Sequence, residues 1–175
     1  KPQTPYGITK LDGEYYLQMY KEQYGLNTAS LRYFNVFGPR HDPKSQYAAA
    51  IPIFVFKALR DEPITIYGDG EQTRDFIYVK DVVQANVLAA ENEDVVGVFN
   101  VANENAITIN ELAKLIIKTT NSNSEIIHED IRPGDIKHSL ASIKETRDRL
   151  NFIPSHNLTS SLETTINYFE ELNKV

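Results

Sequence analysis

The chain contains no cysteine and no tryptophan, and only one of its 175 residues is methionine. Without cysteine there can be no disulfide, no thiolate metal ligand and no cysteine nucleophile. The four histidines, at positions 41, 128, 138 and 156, lack the spacing of zinc motifs such as His-Glu-x-x-His. We therefore expect no metal site.

Glycine is also scarce, and its arrangement excludes two motifs. The eight glycines never form the G-x-G-x-x-G turn that brings backbone close to the pyrophosphate of a dinucleotide. The nucleophile elbow G-x-S-x-G is absent as well. Neither a complete dinucleotide-binding turn nor this type of serine nucleophile is predicted.

The chain also has fewer basic than acidic residues, and it has no long apolar run. The formal net charge is −6 and the isoelectric point is about 5.2, which disfavours nucleic acid or an anionic membrane as the main partner. No run approaches the roughly 18 apolar residues of a membrane span, and the first residues do not form a signal peptide, so we expect a cytoplasmic protein. The 41% hydrophobic content that is present predicts one compact domain with a core.

The apolar pattern switches between helical and strand periods along the chain. Residues 6–24 predict a helix with a broad buried face, ended by Gly25, and residues 28–37 predict a single strand. Helices are further predicted at 52–59 and 81–92, and strands at 64–67, 75–79, 98–102 and 125–129. This alternation favours an α/β fold with some parallel sheet.

Capping boxes, in which Ser or Thr precedes Glu by three residues, predict three more helix starts. They are Thr108/Glu111, Ser142/Glu145 and Ser160/Glu163. Asn157 begins a glycosylation sequon, but we expect it to serve as a helix entry instead.

Tyr6 and Lys10 are the first candidate for chemistry. Their i, i+4 spacing places both side chains on one face of a helix, where the ammonium can lower the phenol pKa from about 10. Such a tyrosine could exchange a proton with a substrate hydroxyl. Spacing alone leaves open an incidental pair on an exposed helix.

Loop arginines and one amide are the next candidates. Arg40, Arg74 and Arg132 lie near turn residues and suit bidentate phosphate binding, although each could be a solvated surface cation. Asn35 lies in an apolar strand, so its amide must be hydrogen-bonded either as a structural bridge or to a ligand.

Four motifs in register carry a resemblance to a known family. They are Tyr6-x-x-x-Lys10, LRYFNVFG at 31–38, GDGEQTRDFIYV at 68–79 and RPGD at 132–135. The chain resembles extended short-chain dehydrogenases/reductases, and within them nucleotide-sugar epimerases and dehydratases, especially NAD-dependent UDP-hexose 4-epimerases. The resemblance implies the C-terminal part of a Rossmann-like fold, at 1–38 and 75–105, and a small α/β substrate-binding domain at 39–74 and 106–175. The N-terminal Rossmann half, with its glycine-rich turn, would be absent from this chain.

The resemblance also implies a mechanism and a set of site residues. Tyr6 would take the proton of the sugar 4-hydroxyl while hydride passes to NAD, and the 4-keto sugar would turn before hydride returns. Lys10 would keep Tyr6 anionic and hold the nicotinamide ribose, with Tyr33 and Val36 beside the cofactor. The substrate-binding positions would be Asn35, Ala49, Ala50, Phe54, Thr65, Tyr67, Arg74, Arg132, Asp135 and Ser139.

Within that set, Arg74 and Arg132 would clamp the diphosphate of a UDP-sugar, and Asp135 would contact the ribose. Ser139 stands where a large aromatic residue would crowd an N-acetyl group, which favours UDP-N-acetylglucosamine and UDP-N-acetylgalactosamine over UDP-glucose and UDP-galactose. A sugar-nucleotide dehydratase or decarboxylase, and a non-catalytic sugar-nucleotide-binding module, remain alternatives. We expect the longer enzyme to be a homodimer and this chain alone to be inactive.

Overall fold

Helices and strands alternate in the computed structural model, which describes residues 2, 4–42, 50–132 and 134–173. The helices are α1 (Pro5–Tyr24), α2 (Ala50–Ala58), α3 (Val79–Glu91), α4 (Ile109–Thr120), α5 (Lys144–Leu150) and α6 (Leu158–Asn173). The strands are β1 (Ala29–Tyr33), β2 (Asn35–Phe37), β3 (Ile64–Tyr67), β4 (Thr73–Tyr78), β5 (Gly97–Val101), β6 (Ala106–Thr108), β7 (Ile126–Glu129) and β8 (His138–Ser139). The expected α/β fold class is confirmed.

Most of the strand pairs are parallel. β1 pairs with β5, β2 with β4, β3 with β7 and β8 with β4 in parallel, whereas β6 pairs with β4 in antiparallel orientation. The single strand predicted at 28–37 is wrong, since the segment is divided at Phe34 into β1 and β2. The division arises because the first half pairs with β5 and the second half with β4.

Strand β4 lies between two apolar clusters. Phe76 belongs to the cluster formed with α2, α4 and α6, whereas Ile77 belongs to the cluster formed with α3, β5 and α5. Successive side chains of a strand point to opposite faces, so β4 contributes to both cores. Packing on both faces therefore fixes the backbone of β4, and with it the Cα and Cβ atoms of Arg74.

Helix α1 differs from its prediction in burial. None of its 20 residues, all of which the structure describes, is buried, and Tyr15 and Tyr16 are among the exposed aromatic residues. Two hydrogen bonds tie the helix to β1 and to the residue before it: Glu14 accepts from Arg32 at 2.6 Å, and Leu17 O accepts from Thr28 Oγ1 at 3.0 Å. The predicted buried face is wrong for this chain, since β1 covers too little of the helix to bury its apolar stripe.

One of the three predicted capping boxes forms as expected. Thr108 Oγ1 accepts from Glu111 N at 3.1 Å, and Glu111 Oε2 accepts from Thr108 N at 3.0 Å, which begins α4. The box at Ser142 is wrong, because the backbone N–H of Ile143 donates to Glu104 and α5 begins only at Lys144.

The third box is also wrong, because Ser160 lies inside α6. Asn157 precedes the helix, and its Oδ1 accepts from Ser160 N at 2.9 Å, so Asn157 is the helix entry that was expected. In the part of the chain that the structure describes, no helix is long and apolar enough to cross a membrane. The same residues hold no group of three or more His, Cys, Asp or Glu side chains that could bind a metal.

Candidate functional site

Tyr6 and Lys10 lie in the first turns of α1. The helix begins there because Thr4 Oγ1 accepts from Gly7 N at 3.1 Å and because proline, here Pro5, suits the first helical position. Lys10 Nζ is 5.1 Å from the centre of the Tyr6 ring. The phenol is 61% exposed, so the two side chains form an accessible pair.

Strands β1 and β2 carry the next predicted residues. Tyr33, the last residue of β1, donates its hydroxyl to Asn86 Oδ1 at 2.8 Å. Asn35 Nδ2 donates to Asp75 O at 2.9 Å, so the structural bridge expected as one alternative is present. Val36 packs against the α3 side of the core. Ligands of parallel α/β sheets bind at the carboxyl ends of strands, and of these three residues Tyr33 lies at such an end; the ligand roles of all three stay predictions.

Arg74 is held by β4 and by the segment that precedes β8. Its Nη1 donates to Thr73 O at 2.9 Å and to Ile136 O at 2.5 Å, and its Nη2 pairs with Asp135. The Arg74 side chain is 16% exposed and that of Asp135 is 29% exposed. Arg74 is therefore not a solvated surface cation. Ser139, half-buried, lies opposite Arg74 in the strand register.

Arg132 and Tyr67 meet beside this pair. The guanidinium carbon of Arg132 lies 3.6 Å from the centre of the Tyr67 ring, which is a stacking distance. Two adjoining open cavities, of about 680 and 380 Å³, share Tyr67 as part of their walls. Arg132 lines the larger cavity and Asp135 the smaller one.

The turn after β3 supplies one wall of the smaller cavity. Asn110, in the first turn of α4, holds this turn because its Nδ2 donates to Asp69 O at 2.9 Å and to Glu71 Oε1 at 2.8 Å. Its Oδ1 also lies 3.0 Å from His128 Nε2. The strand β3, the turn and β7 are thereby fixed around Tyr67.

The other predicted residues lie elsewhere. Phe54 is 5% exposed and belongs to the apolar core, and Ala50 packs beside it at the start of α2. Thr65 Oγ1 accepts from Lys57 Nζ at 3.3 Å. Arg40 is exposed, and Ala49 falls outside the described residues.

Asp75 is a buried carboxyl group that sequence reasoning missed. It is 0% exposed, its Oδ1 accepts from Asn103 N at 3.0 Å, and among the described residues its Oδ2 has no partner. Burial raises the pKa of Asp75, while hydrogen bonds from backbone N–H groups, that of Asn103 first, oppose the shift. An acid within an apolar strand was the available signal, and it is the same signal that identified Asn35.

Parallel strands, an accessible pair such as Tyr6 and Lys10, and an arginine such as Arg132 in a cavity wall are typical of α/β enzymes that bind phosphorylated ligands. The chain belongs to the NAD dependent epimerase/dehydratase family, whose model matches residues 1–102. The resemblance inferred from the motifs is therefore confirmed, and the cofactor of this family is NAD.

Relatives and solved structures agree with that assignment. A putative UDP-glucose 4-epimerase of Methanocaldococcus jannaschii is 35% identical over 99% of this chain and 55% of its own length. A UDP-N-acetyl-alpha-D-glucosaminuronate decarboxylase of Bacillus cytotoxicus is 36% identical over 85% of this chain and 48% of its own length. The structure of a UDP-N-acetylglucosamine 4-epimerase from Methanobrevibacter ruminantium, in complex with UDP-N-acetylmuramic acid, matches with a TM-score of 0.94 at 46% identity. That match covers 98% of this chain and 55% of the other. The chain spans about half the length of the curated relatives it matches.

Proposed function

We propose that this chain forms the substrate-binding and acid/base part of an NAD-dependent UDP-hexose 4-epimerase. The observation that carries the proposal is the Arg74–Asp135 pair, because Asp135 lines a cavity that adjoins the one lined by Tyr67 and Arg132. Guanidinium groups bind the oxygens of a diphosphate in bidentate fashion, and here they supply local positive charge in a chain of net charge −6. Asp135 would bind the ribose, and the ring of Tyr67 would lie beside the uracil.

The residues that we assign to the cofactor fit the nicotinamide end of NAD. Tyr33 lies at the carboxyl end of the parallel strand β1, where such ligands bind, Val36 lies within β2, and Tyr6 and Lys10 form an accessible pair. NAD, when bound, supplies a reversible acceptor for hydride. No glycine-rich turn occurs among these residues, so the phosphates of NAD would be held by protein beyond this chain.

Tyr6 would serve as acid and base in turn. As a tyrosinate it would take the proton of the sugar 4-hydroxyl, and it would return a proton when the 4-keto sugar is reduced on its other face. The ammonium of Lys10 lies 5.1 Å from the centre of the Tyr6 ring, so both side chains would face the same substrate. One residue can play both parts because the two half-reactions are the reverse of each other.

The substrate is proposed to be an N-acetylated UDP-hexose, with UDP-glucose and UDP-galactose as the next candidates. Ser139 lies opposite Arg74 in the sheet, and its small side chain would leave space for an N-acetyl group. The relative from M. ruminantium, bound to UDP-N-acetylmuramic acid, gives this preference support.

These assignments divide the chain between two domains. We place residues 1–38 and 75–105 in the NAD-binding domain and residues 39–74 and 106–175 in the substrate domain. Because the NAD phosphates would need further protein, the chain alone would be inactive. Measurable epimerisation by the 175-residue chain would contradict this. The longer enzyme would act as a homodimer in the cytoplasm.

Titration with UDP tests the substrate assignment. Calorimetry should detect UDP binding to the chain, and Arg74→Ala should weaken it by about 10- to 100-fold, the loss expected for a charged hydrogen bond to phosphate. Arg32→Ala is the matched control, because Arg32 also pairs with a carboxylate, that of Glu14, whereas the partner of Arg74, Asp135, lines the cavity. Equal affinity in the two variants, or no UDP binding at all, would refute the assignment.

A decarboxylase is the second candidate, since one relative at 36% identity is named as such. The two reactions differ in mass, because an epimerase conserves the atoms of its substrate whereas a decarboxylase releases carbon dioxide. A dehydratase of the same superfamily would release water. Chromatography that resolves the 4-epimers, followed by mass spectrometry of the products formed by the longer enzyme from UDP-hexoses and UDP-uronic acids, would separate the three.

A further inference from the structure

The guanidinium of Arg74 already has an anionic partner. It donates to two backbone carbonyls, Thr73 O and Ile136 O, and its remaining terminal nitrogen pairs with Asp135. A guanidinium has five N–H donors, and Asp135 accepts from Nη2, so a phosphate that approaches this nitrogen of Arg74 meets the carboxylate as a competitor.

The two members of this pair are anchored differently. Arg74 belongs to β4, and the next residues of that strand, Asp75 to Tyr78, are all buried. Asp135 belongs to the exposed segment between β7 and β8, where its backbone N–H donates to Arg132 O at 3.2 Å. The cation is therefore fixed by the core, whereas the carboxylate can turn away at the cost of one ion pair.

We propose that Asp135 is an internal counter-anion that makes the site selective for nucleoside diphosphates over free inorganic anions; this inference rests on the proposed function. Pyrophosphate bound at Nη2 of Arg74 would displace Asp135 and would offer the carboxylate no hydrogen-bond donor in return. A nucleoside diphosphate also brings ribose hydroxyls, which can donate to the displaced carboxylate. When UDP binds, the hydrogen bonds from ribose to Asp135 replace the lost Arg74–Asp135 pair. When pyrophosphate binds, nothing replaces that pair.

The test compares pyrophosphate and UDP by calorimetry with wild type, Asp135→Asn, Asp135→Ala and Asp130→Asn. Removing the competing carboxylate should tighten pyrophosphate binding about twofold to fivefold, the range expected for a partly exposed ion pair. The ratio of the pyrophosphate Kd to the UDP Kd should fall in both Asp135 variants, because UDP also loses its ribose contact. Asp130 lines the same cavities but takes no part in the Arg74 pair, so Asp130→Asn should change pyrophosphate binding less than about twofold.

Each outcome decides the question. Unchanged or weaker pyrophosphate binding in both Asp135 variants, with UDP bound by wild type, overturns the counter-anion and leaves the proposed function standing. If Asp130→Asn tightens pyrophosphate binding as much as the Asp135 variants do, the proposal is also overturned, because removal of any nearby negative charge would then explain the effect. If wild type does not bind UDP, the proposed function fails and the selectivity fails with it. Thermal unfolding of each variant confirms that the fold is retained.

Discussion

Gly70 in the turn after β3 is expected to tolerate no side chain. Its φ is +75°, in the left-handed region that favours glycine. A Cβ there would lie 2.6 Å from Asn110 Nδ2 and closer still to Cγ and Oδ1 of the same side chain. Asn110 cannot yield freely, because it bonds to Asp69, Glu71 and His128.

The cost of Gly70→Ala follows from these contacts. The left-handed backbone costs about 1 kcal/mol for alanine. Displacing Asn110 loses its side-chain hydrogen bonds, each worth about 1 kcal/mol. Together these predict that the free energy of unfolding falls by about 4 kcal/mol, measured by urea denaturation followed by circular dichroism.

Two other glycines are matched controls. Gly25 has a φ of +69° but open space around its Cβ, so Gly25→Ala should cost only the backbone strain of about 1 kcal/mol. Gly13 lies inside α1 with nothing near its Cβ, so Gly13→Ala should stabilise by about 0.5–1 kcal/mol through helix propensity. Asn110→Ala combined with Gly70→Ala should cost little more than Gly70→Ala alone, because both remove the same bonds. The reasoning fails if Gly70→Ala and Gly25→Ala cost the same.

The remaining predictions concern a helix cap, two carboxyl groups and the cavity wall. Thr108→Ala should lower the free energy of unfolding by about 1 kcal/mol, whereas Ser142→Ala, outside a capping box, should lower it by less than about 0.5 kcal/mol in the same assay. Burial raises the pKa of Asp75 above its usual 3.8, so its contribution to stability is present below that pH and is lost as the pH rises; the free energy of unfolding of wild type should therefore fall with rising pH relative to that of Asp75→Asn, whose side chain does not titrate. Hydrogen bonds lower the pKa of Glu104 below 4.5, so its contribution is present above that pH and is lost on acidification, and a Glu104→Gln comparison with the same slope as Asp75→Asn would contradict this. Tyr67→Phe should retain UDP affinity, because the ring still stacks, whereas Tyr67→Ala should weaken it severalfold in calorimetry.

Local signals in the sequence predicted the elements that depend on local contacts. Strand β3 has the predicted bounds, and α4 begins at the predicted capping box of Thr108. The cap predicted at Ser142 failed because Glu104, 39 residues away, binds the backbone at the start of α5. The division at Phe34 likewise depends on distant strands, which periodicity cannot identify.

In the candidate site, too, local spacing predicted some contacts, whereas contacts between distant residues were not predicted from the residues alone. The i, i+4 spacing predicted that Tyr6 and Lys10 lie together, and they do. Arg74 and Asp135 are 61 residues apart, so only the resemblance to a family placed them at one site, and only the structure revealed their ion pair. The buried carboxyl of Asp75 was missed because its burial results from packing by both apolar clusters.

Turnover of UDP-N-acetylglucosamine tests the central claim most directly. The measurement uses an enzyme in which this chain is joined to the further length present in its relatives, and it follows the C4 epimer by proton NMR with NAD present. We predict formation of the 4-epimer by wild type and a loss of at least about 100-fold in Tyr6→Phe, with an unchanged unfolding temperature. Full activity of Tyr6→Phe, or no epimer from any UDP-hexose, would contradict the account.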